Sequence, residues 1–239
     1  MKESFLFNAV DWAAFFWFLA MWVGYALYAW RKGKKARSLS AVMHDYRVDW
    51  VKSMMSRDSR ILDITLLGNL TSMVTFFAST TIFVIAGAIT ILSSSDEVLA
   101  LLSGHVFIEE TTQGQVQFKL LVLVIIFVLV FFRFTWSMRQ YMFCSVMFAA
   151  APQVPVGTPL TVAQEEFALN AARISDRASH EFNYGLRAYY FSLAFLTWFI
   201  SPWLLMLSST VVVLVLYRRE FRSEALDWLI KGRRGFSKV

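Results

Sequence analysis

The sequence predicts an all-α integral membrane protein: a helical bundle with four to five membrane helices, the last two joined by a proline turn, plus amphipathic cytoplasmic helices. Two observations carry that expectation. Of the 239 residues 57% are hydrophobic and 17% aromatic, while only 17% are charged, less charge than a soluble domain carries. The apolar residues are also gathered into runs near the roughly 20 residues that a helix needs to cross hydrocarbon.

The first run covers residues 10–30, has Trp12, Tyr28 and Trp30 near its ends, and is followed at once by RKGKKAR. That is a stop-transfer pattern. The start, MKESFLFNAVD, lacks the basic region and small-residue cleavage site of a signal peptide. The second run covers 61–92 and the third 119–139. Between them lies SSSDEVLALLSGHVFIEETTQGQVQ, with four acids and no Lys or Arg. Basic residues near span ends stay in the cytoplasm, so RKGKKAR sets the N-terminus outside, 31–60 inside, the acidic loop 93–118 outside and 140–183 inside.

The stretch LRAYYFSLAFLTWFISPWLLMLSSTVVVLVLYRRE decides how the chain ends. As one helix, residues 186–217 would be about 48 Å long, against about 30 Å of hydrocarbon. A single crossing would also export the tail 218–239, which has seven Lys and Arg against three acids. Pro202 removes a backbone donor near the middle and disfavours helical angles at Ser201, and Trp198 and Trp203 flank it as interface residues do. The expectation is a hairpin turning at Ser201-Pro202, either spanning or re-entrant, with the basic tail in the cytoplasm. A strongly tilted, kinked single helix is the competing reading. On the hairpin reading only Lys2 and Lys119 of the 23 basic residues lie outside, so the net charge of +6 is mostly orientation signal. It predicts attraction to anionic lipid headgroups, and no nucleic-acid motif accompanies it.

Inside, SAVMHDYRVDWVKSMMSRDSRIL puts Met43, Tyr46, Trp50 and Met54 at helical spacing, and SEALDWLIKGRRG repeats the pattern in shorter form. Each reads as a helix lying in the membrane interface or packed on the protein's own cytoplasmic segments. PQVPVGTP is a proline-rich connection. Thr161 with Gln164 resembles a capping box opening a mainly polar helix. No repeat of 20 to 50 residues appears, so 1–239 is drawn as a single polytopic membrane domain.

Candidate site residues lie in the second and third runs. At 100° per residue Thr65, Gly68, Ser72, Thr75 and Ser79, continued by Ala86 and Thr90, share one narrow face, which suits close helix packing or a pore lining. Asp63, Asn69, Arg133 and Arg139 form a candidate intramembrane polar site, because ionisable groups at depth are costly and often functional. Arg133 sits about 9 Å deeper than Arg139, at a level Asn69 can share. An arginine satisfied by Asp63 is the structural alternative.

Catalytic and metal chemistry have no constellation to rest on. His44, His105 and His180 fall on separate segments and Cys144 is the only cysteine, with no zinc spacing, phosphate loop or nucleophile elbow. The chain is expected not to be an enzyme and to need no cofactor and no metal. RILDITLLGNLTSMVTFFASTTI, NYGLRAYYFSLAFLTWFISPWL and YRREFRSEAL together resemble the bacterial and plant membrane-protein family called domain of unknown function 599, over most of the chain. The resemblance implies a polytopic membrane protein and brings no catalytic residue. The functional expectation is therefore an oligomeric channel or transporter for an ion or small solute in a bacterial inner membrane. The alternative is a non-transporting scaffold or lipid-interaction protein. Membrane lipids and further copies of the chain are the expected partners, and nucleic acid is not.

Overall fold

The computed structural model describes residues 7–33, 38–94 and 112–236, and every regular element among them is helical. In chain order these are α1 (Ala9–Gly33), α2 (Leu39–Met55), α3 (Ile61–Ser93), α4 (Gln113–Ala149), α5 (Val162–Leu196), a 3-10 turn (Thr197–Phe199), α6 (Pro202–Phe221) and α7 (Glu224–Phe236). Among the described residues three helices, α1, α3 and α4, are long and apolar enough to cross a membrane. The expected external loop 93–118 falls mostly outside the described residues.

Helix ends follow from local chemistry. Ser38 caps α2 by accepting the Ala41 N–H on its hydroxyl at 3.2 Å. At α5 the Thr161 N–H donates to Gln164 Oε1 (2.9 Å) and the Gln164 N–H donates to Thr161 Oγ1 (3.3 Å), the reciprocal capping box expected there. Thr112 and Gln115 repeat it at the start of α4, at 3.1 and 3.4 Å. That second T-x-x-Q signature starts the helix six residues before the expected span. At its other end α4 runs ten residues past Arg139. There Arg60 donates to the carbonyls of Phe148 (3.3 Å), Ala151 (2.7 Å) and Pro152 (3.1 Å), a cation closing the carbonyl end of a helix. In the connection to α5, Thr158 N–H donates to Pro155 O at 3.1 Å and Gly157 has φ 81°. This is a type II turn, whose third position favours glycine.

The chain separates into two compact units, Met1–Trp30 with Ser79–Phe131 and Gly185–Tyr217, and Arg31–Ala78 with Phe132–Tyr184 and Arg218–Val239. The core of the first is aromatic. Trp198 is 1% exposed and lies against Phe7 (5.4 Å between ring centres), Phe15 (5.5 Å) and Phe195 (5.3 Å). Its indole N–H donates to Asp11 Oδ1 at 2.8 Å. Trp203, by contrast, is 64% exposed. Of the two tryptophans flanking Pro202, one is core and only the other has the exposure of an interface residue.

Pro202 also explains the position of Lys119. In a continuing helix residue 202 would donate its N–H to the carbonyl four residues back, that of Trp198, but proline has no N–H. Lys119 Nζ supplies the donor instead, 2.9 Å from Trp198 O and 5.1 Å from the centre of the Trp198 ring. Lys119 was expected at the outer face; it is 4% exposed. After the turn, Ser208 Oγ lies 2.9 Å from Thr197 Oγ1 and 3.2 Å from Ala194 O.

The second unit is organised around α2. Its Val42, Val51, Met54 and Met55 are buried, and only Asp49 and Ser53 along its length are fully exposed. Of the two sequence readings, this favours packing on the protein's own segments. Arg47 donates to Asp176 Oδ1 (2.6 Å) and Ser179 Oγ (3.0 Å) of α5, and His44 also meets Asp176. The Tyr46 hydroxyl donates to Leu229 O of α7 at 2.9 Å, and Asp45 pairs with Arg233. A Cβ on Gly232 would stand 2.8 Å from the Tyr46 hydroxyl, so a larger residue there requires the end of the tyrosine side chain to shift. Gly232→Val is expected to break the Tyr46 to Leu229 bond and loosen α7 by about 1 kcal/mol. The check is faster hydrogen exchange or proteolysis confined to 224–236; unchanged protection there would refute the close approach.

Candidate functional site

The four polar residues singled out in the sequence occupy different environments. Asp63 lies in the first turn of α3, where a carboxylate suits the positive end of the helix, and its side chain is 0% exposed. Its Oδ1 accepts the indole N–H of Trp50 at 2.6 Å and a guanidinium N–H of Arg57. Trp50 meets Phe148 edge to face at 5.2 Å. Asp63 therefore staples α2 to α3, and Oδ2 is buried with no partner among the described residues.

Arg133 does not reach Asp63. It donates to Glu181 Oε2 of α5 at 2.8 Å and lies 5.6 Å from the centre of the Tyr184 ring. Its side chain remains 56% exposed. Arg139 is exposed, lies 5.8 Å from the centre of the Phe143 ring and has no ion pair among the described residues. The structure brings Arg133 and Arg139 together in one cleft of about 650 Å³ between α4 and α5, with Phe132, Trp136, Met142 and Glu181. Glu181 was not foreseen. Its signal was available only in retrospect, as an acid at the point where the polar part of α5 gives way to NYGLRAYYF.

Asn69 and the small-residue stripe are on the outward face of α3. Thr65, Gly68, Asn69, Ser72, Thr75 and Ser79 are all exposed, whereas Asp63, Leu67, Val74, Ala78, Thr81 and Ala88 form the buried face. A Cβ on Gly68 would meet nothing within 4 Å. The Thr65 hydroxyl donates to Ile61 O at 2.8 Å and the Thr75 hydroxyl to Thr71 O at 2.9 Å, with Met138 Sδ of α4 3.4 Å from Thr75 Oγ1. This is how hydroxyls are accommodated in an apolar setting. Asn69, Ser72 and Ser79 have no such bond among the described residues. They recur at intervals of three and seven, which is one ridge of the helix.

A second polar cavity, of about 290 Å³, lies where Arg47, Asp176, Ser179 and Asn183 meet Ser40 and Glu220. Ser40 Oγ donates to Glu220 Oε1 at 2.9 Å, so this cavity ties α2 to α5 and α6. No group of three or more His, Cys, Asp or Glu that could hold a metal occurs among the described residues. Among the described residues, the charged groups found together form ion pairs and helix staples.

The family model described as "Protein of unknown function, DUF599" matches residues 13–225. No curated protein and no solved structure matches the chain.

Proposed function

The chain belongs to the DUF599 family, and from that premise and the outward face of α3 we propose a multi-pass protein of the bacterial inner membrane whose copies assemble through α3 into a channel or transporter for an ion or small solute. The crossings on this reading are α1, α3, α4, the apolar end of α5, and α6. A continuous helix would separate Ala194 from Ser208 by about 21 Å; their 3.2 Å contact supports a hairpin at Ser201-Pro202. The basic stretch 31–37 and the basic tail 218–239 support a cytoplasmic C-terminus and an external N-terminus on this reading.

The observation that carries the reading is the ridge Asn69, Ser72 and Ser79 beside Gly68. Amide and hydroxyl groups facing hydrocarbon without partners cost free energy, and small neighbours allow a second helix to approach closely enough to bond them. Neighbouring copies would cover the ridge, and polar groups left at the shared axis would line a path. Gly68→Leu is expected to leave the protomer's thermal midpoint unchanged, because a Cβ there meets nothing within 4 Å among the described residues. It should abolish the oligomer seen by cross-linking in mild detergent, and with it solute flux into liposomes. Phe83→Leu, on an exposed apolar position, should do neither. An oligomer indifferent to Gly68→Leu would refute assembly through α3.

The scaffold or lipid-interaction reading is favoured by a separate observation: Asp63 is engaged in stapling helices, Arg133 is paired with Glu181, and Arg139 faces outward. Absence of flux through a preserved oligomer would favour that reading.

A further inference from the structure

We propose that the cleft between α4 and α5 is a binding site for one anionic phospholipid of the cytoplasmic leaflet, its phosphate on Arg139 and its acyl chain along Phe132 and Trp136. The inference rests on the membrane placement proposed above and is independent of whether anything is transported.

Charge is the first argument. Two arginines, Arg133 and Arg139, and one glutamate, Glu181, line the cleft. Arg133 and Glu181 satisfy each other at 2.8 Å, leaving a single positive charge on Arg139, the complement of one phosphodiester. Its guanidinium offers a planar fork of donors that matches phosphate oxygens two at a time.

Shape is the second. Phe132, Trp136, Arg139 and Phe143 are spaced four, three and four residues apart, so they form one outward face of α4. Phe132, Trp136 and Phe143 are all exposed large hydrophobics. Along the helix axis Trp136 lies about 4.5 Å and Phe132 about 10.5 Å from Arg139 on the membrane side. A headgroup at Arg139 would thus have its glycerol region at an indole, where tryptophan is favoured, and its chain on aromatic surface. A free phosphate would use the guanidinium alone. The lipid uses the whole face.

The test is native mass spectrometry of the purified full-length protein in detergent, titrated with phosphatidylglycerol, phosphatidylcholine or inorganic phosphate. The expected result is retention of one phosphatidylglycerol in preference to phosphatidylcholine. Arg139→Gln should reduce that retention on the order of tenfold, Arg139→Lys should restore part of it, and Trp136→Leu should weaken it without changing the preference for the anionic headgroup. Arg173→Gln, which removes an exposed charge elsewhere on α5, controls for general loss of attraction and should retain lipid as wild type does. Thermal midpoints confirm that each variant is folded. Equal retention of the two lipids, wild-type retention by Arg139→Gln, or displacement of the lipid by equimolar inorganic phosphate would each overturn the proposal. None of these readouts depends on flux or on the oligomer, so the transport reading can fail while this one stands.

Discussion

Asp63→Ala is expected to destabilise the protein by about 3 kcal/mol, the lower end of the range for breaking a buried pair. Asp63 is 0% exposed while Arg57 is 40% exposed, so removing the carboxylate strands only one partner completely. The Trp50 N–H, 2.6 Å from Oδ1, loses its acceptor inside the unit. Arg57 can turn toward water and recover part of its loss. Asp63→Asn keeps an oxygen for Trp50 but not the charge for Arg57, and should cost about half as much. Unfolding in a fixed detergent, followed by tryptophan fluorescence or heat, checks both. A cost below about 0.5 kcal/mol for Asp63→Ala, the size of an ordinary surface substitution, would show that the staple between α2 and α3 contributes little.

The second large effect is expected at Lys119. Lys119→Met preserves the stem and removes the donor that serves Trp198 O, together with a cation beside the indole. A buried acceptor left unpaired costs about 1–3 kcal/mol and the lost cation–π contact about 1 kcal/mol more. Relief of a buried ammonium's desolvation offsets part of that sum, so a net loss of about 2 kcal/mol is expected. The cause can be isolated because it begins at Pro202. Pro202→Ala returns a backbone N–H able to serve the same carbonyl, so Lys119→Met should cost measurably less in the Pro202→Ala background. Strict additivity of the two substitutions would mean that Lys119 does not compensate for the proline.

Much of the helical plan was legible because it depends on local rules. Thr161 and Gln164 announced the start of α5, and the apolar runs located α1, α3 and α4 from composition alone. The ends of α4 were less legible. The sequence expectation stopped at Arg139, where charge begins, but helix formation is decided by backbone bonding and continues until Arg60 closes the carbonyls near Ala149. Pro152 marks a stop locally, but the distant residue that serves the last carbonyls cannot be read from that pattern.

The candidate site was legible as a set of residue types and not as a set of partners. Arg133, Arg139 and Asp63 stood out because charge is rare within such runs. Helical periodicity cannot say which neighbour a charged face meets, and so it could not distinguish Glu181 from Asp63 as the partner of Arg133. It also groups Thr65, Gly68, Ser72, Thr75 and Ser79 on one face, without revealing that all five are exposed. The burial of Asp11 and Lys119 was illegible for the opposite reason: each stands at the edge of an apolar run, where a charge is usually solvated, and only packing around Trp198 buries them.

The sequence by itself determined that the chain is helical, that three of its helices have the length and apolarity to span a membrane, and which residues share a helix face. All of these follow from bonding and side-chain periodicity within one segment. Only the tertiary structure decided that Asp63 belongs to Trp50 and Arg57, that Arg133 belongs to Glu181, and that Lys119 replaces the donor missing at Pro202. Those pairings join residues up to 79 positions apart, and whether a charge is solvated, stapled or left facing outward depends on which helices close around it.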